Sequence, residues 1–257
     1  MPEPRKLSTP VTDGTVVLIL AGGLGTRLRS VFRTGPKALA PVANRPFLDY
    51  LLNWVRLAGF SEVILCVGYK HKDIEDRYKS GKDWGIRLSY SVENEPLGTA
   101  GAIKLAQRRI RSRDFVVLNG DSFVEVNFRD LLHFHKSRGA LGTIVLAKAP
   151  AVGRYGQVQV NRSGRILAFL EKDSSAAKRR AKTKWINAGI YVLSREVLTS
   201  IPAKRALSLE KDVFQNIGTQ PFYGFPANGY FIDIGVPEDY QRAQRELPKR
   251  LTYEHSS

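Results

Sequence analysis

The chain has 257 residues, of which 43% are hydrophobic and 25% are charged. These fractions are ordinary for a globular protein, and they exclude a disordered chain, a collagen and a coiled coil. The longest uncharged apolar run near the N-terminus, residues 16–24, is too short for a membrane span, so we expect neither a signal peptide nor an anchor. The single cysteine, Cys66, excludes a disulfide framework and a cysteine-based zinc site and favours a cytoplasmic location.

Basic residues outnumber acidic ones by 40 to 24, which gives a formal net charge of +16. Such an excess favours an anionic partner, which could be a nucleic acid, an anionic membrane or a phosphorylated small molecule. Charge alone does not choose among the three. Much of the surplus lies in two basic clusters, residues 104–113 and 178–184, and the sequence gives them no role.

The hydrophobic pattern alternates between strands and helices after a polar, flexible leader at residues 1–14. Predicted strands cover residues 15–20, 62–67, 86–92 and 115–118. Predicted helices cover residues 47–57, 71–79, 99–110 and 128–137. This alternation predicts an α/β fold with a parallel sheet and right-handed crossovers.

The rhythm changes after residue 140, where short strand-like runs dominate. Predicted strands cover residues 142–148, 157–160, 166–170 and 190–193, and short helices are expected near residues 196–200 and 209–216. A closing helix follows Pro237. Because no linker-like stretch divides the chain, we expect a single domain over residues 15–246, with halves at about 15–140 and 141–246 and a tail at 247–257.

The strongest functional motif, LAGGLGTRL at residues 20–28, follows the first predicted strand. Its glycines allow the backbone to pass close to a ligand, and successive N–H groups there can cradle phosphate oxygens. It is neither a Walker A loop nor a GxGxxG fingerprint. A tight strand-to-helix turn without a ligand is the alternative that this motif alone leaves open.

Two basic residues favour a phosphate site over a simple turn. Arg27 follows the glycines, and a guanidinium can hold two phosphate oxygens in a fork. Lys37 lies next to Pro36, which fixes the local backbone, and an ammonium suits a phosphorus centre that gathers negative charge.

These residues resemble the opening signature of the sugar-phosphate nucleotidylyltransferases, in which a strand is followed by AGGxGTRL and then by a PK-containing loop. The resemblance extends over residues 15–246. It implies a Rossmann-like nucleotidyltransferase fold with a mostly parallel, mixed central sheet flanked by helices. It also implies that the nucleotide binds in the first half of the chain and the sugar phosphate in the second.

Two aspartates match the positions at which the family binds Mg²⁺. Asp121 ends the FVVLNGD segment, where a lone aspartate is more often a turn residue or a helix cap. Asp233 lies among apolar neighbours, and a buried carboxylate there requires a metal or a donor as partner. Mg²⁺ typically takes few carboxylates together with substrate phosphates, which suits this pair.

Other segments match the family's substrate pockets. The segment that lines the nucleobase in the family matches Glu93 and residues 96–101. For Glu171 and Lys172, which the family uses on the sugar phosphate, a solvated ion pair is the alternative. The resemblance thus implies nucleotide-binding residues Leu20, Ala21, Gly22, Gly23, Gly25, Thr26, Glu93, Gly98 and Thr99, and sugar-phosphate-binding residues Tyr155, Gly156, Glu171, Lys172 and Asn187.

The implied reaction is nucleotidyl transfer from a nucleoside triphosphate to a sugar 1-phosphate, with Arg27 and Lys37 as catalytic residues. The PLGTAGA segment favours GTP, and residues 208–212 and 230–240 are most similar to D-glycero-α-D-manno-heptose 1-phosphate guanylyltransferases. Mannose 1-phosphate guanylyl transfer and uridylyl transfer to another sugar phosphate are the alternatives within the class. The resemblance implies no nucleic acid and no membrane as partner, and it allows a homo-oligomer.

A non-catalytic polyanion-binding or regulatory module with this fold is the alternative from another class, and the net charge motivates it. The combined presence of Arg27, Lys37, Asp121, Lys172 and Asp233 favours the enzyme, since a non-catalytic relative has little need of all five.

Overall fold

The computed structural model describes residues 14–23, 28, 32, 35–148, 155–170 and 185–251. The helices are α1 (Phe47–Leu57), α2 (His71–Tyr78), α3 (Gly98–Ala106), α4 (Phe128–Ser137) and α5 (Pro237–Arg250). The strands are β1 (Val17–Leu20), β2 (Pro41–Val42), β3 (Arg45–Pro46), β4 (Glu62–Val67), β5 (Arg87–Val92), β6 (Asp114–Asn119), β7 (Ser122–Val124), β8 (Gly142–Lys148), β9 (Gln157–Val160), β10 (Ile166–Leu170), β11 (Trp185–Ser194), β12 (Phe222–Pro226) and β13 (Phe231–Asp233).

One mixed sheet of nine strands dominates the described residues. Strands β5, β4, β1 and β6 lie side by side and run parallel. Strand β11 pairs antiparallel with β6, β8 and β9, while β12 returns parallel to β8. The sheet therefore contains strands from both halves of the chain, and the α/β fold class expected from the sequence is confirmed.

Strand β1 is buried on both faces. Val17 and Ile19 belong to one hydrophobic core and Leu18 to the other, and all three have no solvent exposure. This explains why its sequence is a continuous β-branched and aliphatic run, as is typical of parallel strands covered by helices on each side.

Helices cover both faces of the sheet. One core contains apolar side chains of α1, α2, α4 and α5, among them Leu51, Ile74, Leu131 and Ala243. The opposite core contains α3 and the short helical turns at Arg195–Thr199, Leu209–Val213 and Phe214–Asn216. Within the described ranges, none of the helices has the length and apolarity that crossing a bilayer requires.

The parallel register brings the carboxyl ends of three strands to one edge of the sheet. Leu20 at the end of β1 is aligned with Cys66 of β4 and with Asn119 of β6. Gly120 lies so close to the end of β1 that a Cβ at this position would be 2.5 Å from the carbonyl oxygen of Leu20. The loops after β1 and β6 therefore leave the sheet side by side, where α/β folds place their ligands.

Five strands were not predicted from the sequence, and two of them, β2 and β3, have two residues each and pair antiparallel with one another. Strands β7 and β13 have three residues each and pair antiparallel with one another. Strand β12 contains Gly224 and Pro226, which both interrupt a strand-like pattern. In addition, α5 continues to Arg250, four residues past the expected end of the domain at residue 246.

A buried histidine connects α4 to the sheet and generates the first testable prediction. His135 Nδ1 lies 2.9 Å from Thr143 Oγ1 of β8, and its Nε2 lies 3.6 Å from Asp114 Oδ1 of β6. Burial lowers the pKa of His135 below its ordinary value of 6.5, although Asp114 opposes this shift. The unfolded chain therefore binds a proton more readily than the folded one, so this residue makes stability fall as pH falls below about 6.5.

We predict that His135→Gln removes part of the loss of stability between pH 7.5 and pH 5.5. Urea unfolding of both proteins at the two pH values measures the difference in unfolding free energy. His133→Gln, on the same helix, is the matched control and should leave the pH dependence as it is. An equal pH dependence in the wild type and His135→Gln would contradict the assignment.

Candidate active site

A cavity of about 400 Å³ opens at the carboxyl edge of the parallel strands. It is bounded by the loops that follow β1, β5 and β6, by the start of α3 and by the turn that holds Lys37. The sequence-predicted residues that line it are Leu20, Ala21, Gly22, Gly23, Lys37, Glu93, Gly98, Thr99 and Asp121.

Lys37 and the two predicted metal ligands meet at one end of this region. Lys37 Nζ lies 2.5 Å from Asp121 Oδ2 and 4.0 Å from Asp233 Oδ1. The pairing of β7 with β13 brings the two aspartates together, since Asp233 is aligned with Ser122 and the N–H of Ile234 donates to the carbonyl oxygen of Asp121. Residues 112 positions apart in sequence thus share one ammonium group.

Gly235 leaves the space in which this ion pair forms. Its N–H donates to Asp233 Oδ1 at 2.6 Å and so orients the carboxylate. A Cβ at this position would lie 2.7 Å from Asp233 Oδ1 and 2.9 Å from Lys37 Nζ, closer than side-chain contacts allow. An alanine here would therefore displace the Asp233 carboxylate, the Lys37 ammonium or both.

The donor set fits a magnesium ion that also binds substrate. The side chains of Asp121 and Asp233 are 30% and 25% exposed, so solvent reaches both carboxylates, and Asp121 also lines the cavity. Within the described part of the chain, no group of three or more histidine, cysteine, aspartate or glutamate residues could hold a metal. Two carboxylates alone suit Mg²⁺, which usually keeps waters and phosphate oxygens as its remaining ligands.

Glu93 also lines the cavity, directly after β5. Its Oε2 accepts a hydrogen bond from the N–H of Leu97 at 3.1 Å. Two glycines make room for it: a Cβ at Gly22 would lie 2.6 Å from Glu93 Oε1, and a Cβ at Gly68 would lie 2.9 Å from its Cγ. Burial raises the pKa of Glu93, and the Leu97 N–H partly offsets this rise.

Cys66 lines the same cavity, but its thiol is not a nucleophile at neutral pH. Burial, with a further contribution from the Glu93 carboxylate, raises the pKa of its thiol to about 12. A thiol with this pKa is protonated at neutral pH, whereas nucleophilic cysteines require the thiolate. The side chain is a wall of the cavity.

A polar network connects the start of α3 to β11. Thr99 Oγ1 donates to Glu210 Oε2 at 3.0 Å, and the hydroxyl of Tyr191 donates to Glu210 Oε1 at 3.2 Å. Asn187 Nδ2 in turn donates to the Tyr191 oxygen at 2.8 Å. Desolvation raises the pKa of Tyr191 well above its ordinary value, which keeps the phenol protonated as a donor. Glu210 therefore joins a predicted nucleotide-binding residue to a predicted sugar-binding residue.

The predicted sugar-side residues that the structure describes lie outside the lining of the cavity. The hydroxyl of Tyr155 donates to Asp239 Oδ2 at 3.1 Å, and its ring packs edge-on against Phe231 of β13. The carbonyl oxygen of Gly156 accepts the N–H of Asn187 at 2.9 Å. These contacts connect the predicted sugar side to β13, the strand that ends at Asp233.

Five predicted site residues lie outside the described ranges: Gly25, Thr26, Arg27, Glu171 and Lys172. Conversely, the structure shows four residues at or near the site that were not predicted from the sequence: Gly68, Glu210, Gly235 and Asp239. The resemblance covered the segments that contain Glu210, Gly235 and Asp239, but a motif match does not show which neighbouring side chain a residue contacts.

Comparison with known proteins identifies the family of this chain. The nucleotidyl transferase family model matches residues 16–250. A D-glycero-α-D-manno-heptose 1-phosphate guanylyltransferase of Aneurinibacillus thermoaerophilus is 40% identical over 231 residues, which are 90% of this chain and 97% of the relative. A mannose-1-phosphate guanylyltransferase of Mycobacterium tuberculosis is 36% identical, and the match covers 91% of this chain and 65% of that protein.

Solved structures give the same result. The crystal structure of HddC from Yersinia pseudotuberculosis complexed with GMP-PN aligns with a TM-score of 0.78 and 33% identity over 91% of this chain and 99% of that one. The chain belongs to the nucleotidyl transferase family, and the resemblance noted in the sequence is confirmed. Its relatives with high identity and coverage are sugar-1-phosphate guanylyltransferases.

Proposed function

We propose that the protein transfers a guanylyl group from GTP to D-glycero-α-D-manno-heptose 1-phosphate and releases pyrophosphate. The product, a GDP-heptose, would supply surface polysaccharide biosynthesis. The observation that carries this proposal is the juxtaposition of Lys37, Asp121 and Asp233 at a cavity that also holds Glu93. The similarity to heptose 1-phosphate guanylyltransferases over nearly the whole chain supports the choice of substrates.

The chemistry needs alignment and charge neutralisation more than proton transfer. An oxygen of the sugar 1-phosphate attacks the α-phosphorus, a new P–O bond forms, and the bond to the β-phosphate oxygen breaks as pyrophosphate leaves. The attacking oxygen is already ionised at neutral pH, so the reaction needs no general base. Preorganised positive charge at the phosphorus is then the main source of acceleration.

Lys37 is the residue we assign to the α-phosphate. Its ammonium lies beside both aspartates, and its side chain lines the cavity together with Gly22 and Gly23. We assign the triphosphate tail to this glycine-rich segment, including Gly25 and Thr26, and to Arg27. Leu20 and Ala21 complete the wall of the nucleotide site.

Asp121 and Asp233 are the residues that we propose to hold Mg²⁺. When bound, the ion neutralises phosphate charge and orients the two reactants. The N–H of Gly235 orients Asp233, and the ammonium of Lys37 holds Asp121 in place in the ligand-free protein.

Glu93 is the residue that we propose to recognise guanine. An ionised carboxylate can accept hydrogen bonds from the N1–H and N2–H groups of guanine, which uracil and thymine do not offer as a pair. Its Oε2 is oriented by the Leu97 N–H, and Gly98 and Thr99 lie beside it in the cavity wall. A site that requires such donors discriminates strongly against bases that lack them.

We assign the sugar phosphate to Tyr155, Gly156, Glu171, Lys172 and Asn187, with Lys172 on the phosphate and Glu171 on the sugar hydroxyls. The link from Asn187 through Tyr191 and Glu210 to the nucleotide side supports a shared cleft. We place the reaction in the cytoplasm, which a single, buried and reduced cysteine suits. A homo-oligomer remains an expectation of the resemblance.

Mannose 1-phosphate is the second candidate acceptor, because mannose-1-phosphate guanylyltransferases are also close relatives of this chain. Uridylyl transfer and a non-catalytic polyanion-binding module are weaker alternatives. A crossed pyrophosphate-release assay distinguishes all of them, with four nucleoside triphosphates, hexose and heptose 1-phosphates, and Mg²⁺. We expect the highest rate with GTP and the heptose 1-phosphate. Preference for UTP or dTTP would contradict the guanylyl assignment, and no release from any pair would favour the module.

A double-mutant cycle tests the role of Glu93. We predict that Gly68→Ala weakens GTP binding by about tenfold or more, because the new Cβ would displace the Glu93 side chain, and a lost charge-assisted hydrogen bond is worth about 1.5–3 kcal/mol. In a Glu93→Ala background the same Cβ has nothing to displace, so Gly68→Ala should then have little further effect. Isothermal titration of the four proteins with a non-hydrolysable GTP analogue measures the coupling. Additive effects of the two changes would show that Gly68 does not act through Glu93.

A further inference from the structure

The ammonium of Lys37 lies where the proposed metal would need to neutralise charge. It is 2.5 Å from one carboxylate and 4.0 Å from the other, and the side chain is 11% exposed. The same residue is assigned to the α-phosphate during the reaction. One lysine therefore has two sets of anionic partners, the aspartates in the ligand-free protein and the phosphate in the complex.

Electrostatics restricts how the lysine can move between these partners. Separating a partly buried ion pair leaves each charge without its partner, which costs free energy even where some solvent reaches the carboxylates. We therefore expect Lys37 to leave Asp121 most readily when another cation replaces it at the carboxylates and a new anion accepts the ammonium. A divalent cation and a phosphate together satisfy both conditions.

We propose that Lys37 is the resident counter-cation of the Asp121–Asp233 pair in the ligand-free protein and that a divalent cation binds by displacing it. This inference rests on the metal assignment in the proposed function. Displacement releases the ammonium toward the α-phosphate, so metal binding and activation of the lysine are one event. Because coupling is reciprocal, a phosphate that draws Lys37 away also strengthens metal binding at the aspartates.

Gly235 is the positioning residue of this exchange. The absent Cβ lets Asp233 Oδ1 receive the Gly235 N–H and lets Lys37 Nζ approach the same carboxylate. An exchange of cations at this place needs that space in both states. The steric effect of a side chain at Gly235 thus comes from the ion pair and not from a left-handed backbone conformation, because the φ of Gly235 is not positive.

If Lys37 competes with the metal, then removing Lys37 should increase the affinity of the two aspartates for a divalent cation. We expect Lys37→Met to bind Mn²⁺ at least about tenfold more tightly than the wild type in the absence of nucleotide. A neighbouring positive charge shifts the pKa of a carboxylate by about one to three units, and removing Lys37 should change the affinity of the same carboxylates for a cation by a similar factor. Titration of Mn²⁺ alone, followed by electron paramagnetic resonance of the free ion, measures this. Lys82→Met removes an equal charge from an exposed lysine on another turn and should leave the affinity unchanged.

Lys37→Met binding that is no tighter than wild-type binding, including no measurable binding to either protein, would overturn the exchange. Asp121→Asn, titrated in parallel, tests the proposed function separately. If the wild type binds Mn²⁺ and Asp121→Asn binds it equally well, the metal assignment itself fails. If Asp121→Asn loses binding but Lys37→Met does not gain it, the metal assignment stands and the exchange is wrong.

Thermal unfolding provides a second readout that does not depend on the variant being as stable as the wild type. Lys37→Met leaves two carboxylates without their ammonium, so we expect a lower melting temperature that added Mn²⁺ raises by more than it raises the wild-type value. Gly235→Ala places a Cβ 2.7 Å from Asp233 Oδ1 as well as 2.9 Å from Lys37 Nζ, so it displaces a metal ligand together with the lysine and should bind Mn²⁺ more weakly than Lys37→Met. An equal Mn²⁺-induced shift in Lys37→Met and the wild type would contradict the proposal.

Discussion

The site depends on the parallel pairing of β1 with both of its neighbours. Because Leu20 is aligned with Cys66 and with Asn119, the backbone segments that follow β1, β4 and β6 all emerge at one edge of the sheet. The glycine-rich segment then packs against Glu93 in the cavity wall, and Asp121, two residues after Asn119, lines the same cavity. A one-residue slip of β1 would exchange its two buried faces and move its glycine-rich segment out of line.

The second constraint is the space that glycines leave for the charged groups of the site. Gly120 lets the loop after β6 lie on β1, Gly22 and Gly68 leave room for the Glu93 carboxylate, and Gly235 leaves room for the ion pair of Lys37. Each glycine thus controls the position of a functional group that it does not carry. This is why the glycines of such a site are not interchangeable with alanine even where the backbone conformation would permit it.

Much of the architecture follows from the sequence because the period of buried residues is local information. The patterns at 47–57, 62–67, 128–137 and 142–148 predicted helices and strands with the bounds that the structure shows. The motif resemblance located Lys37, Glu93 and Asp121, which the fold brings to one cavity.

What the sequence could not show depends on contacts between distant segments. Strands β7 and β13 are too short to have a period, yet their pairing is what brings Asp233 next to Asp121. Glu210 has no local mark of its role, since its partners Thr99 and Tyr191 come from two other elements. The space that Gly235 supplies becomes visible once Asp233 and Lys37 are seen on either side of it.

The central claim is that Asp121 and Asp233, with Lys37 between them, form the catalytic centre of a sugar-1-phosphate guanylyltransferase. The most direct measurement is pyrophosphate release from GTP and heptose 1-phosphate by Asp121→Asn, with its thermal unfolding compared to the wild type. Asp130→Asn, an exposed aspartate on α4, serves as the control. We expect a folded Asp121→Asn protein whose turnover falls by about 100-fold or more, while Asp130→Asn keeps the wild-type rate. Turnover near the wild-type rate in a folded Asp121→Asn protein would contradict the central claim.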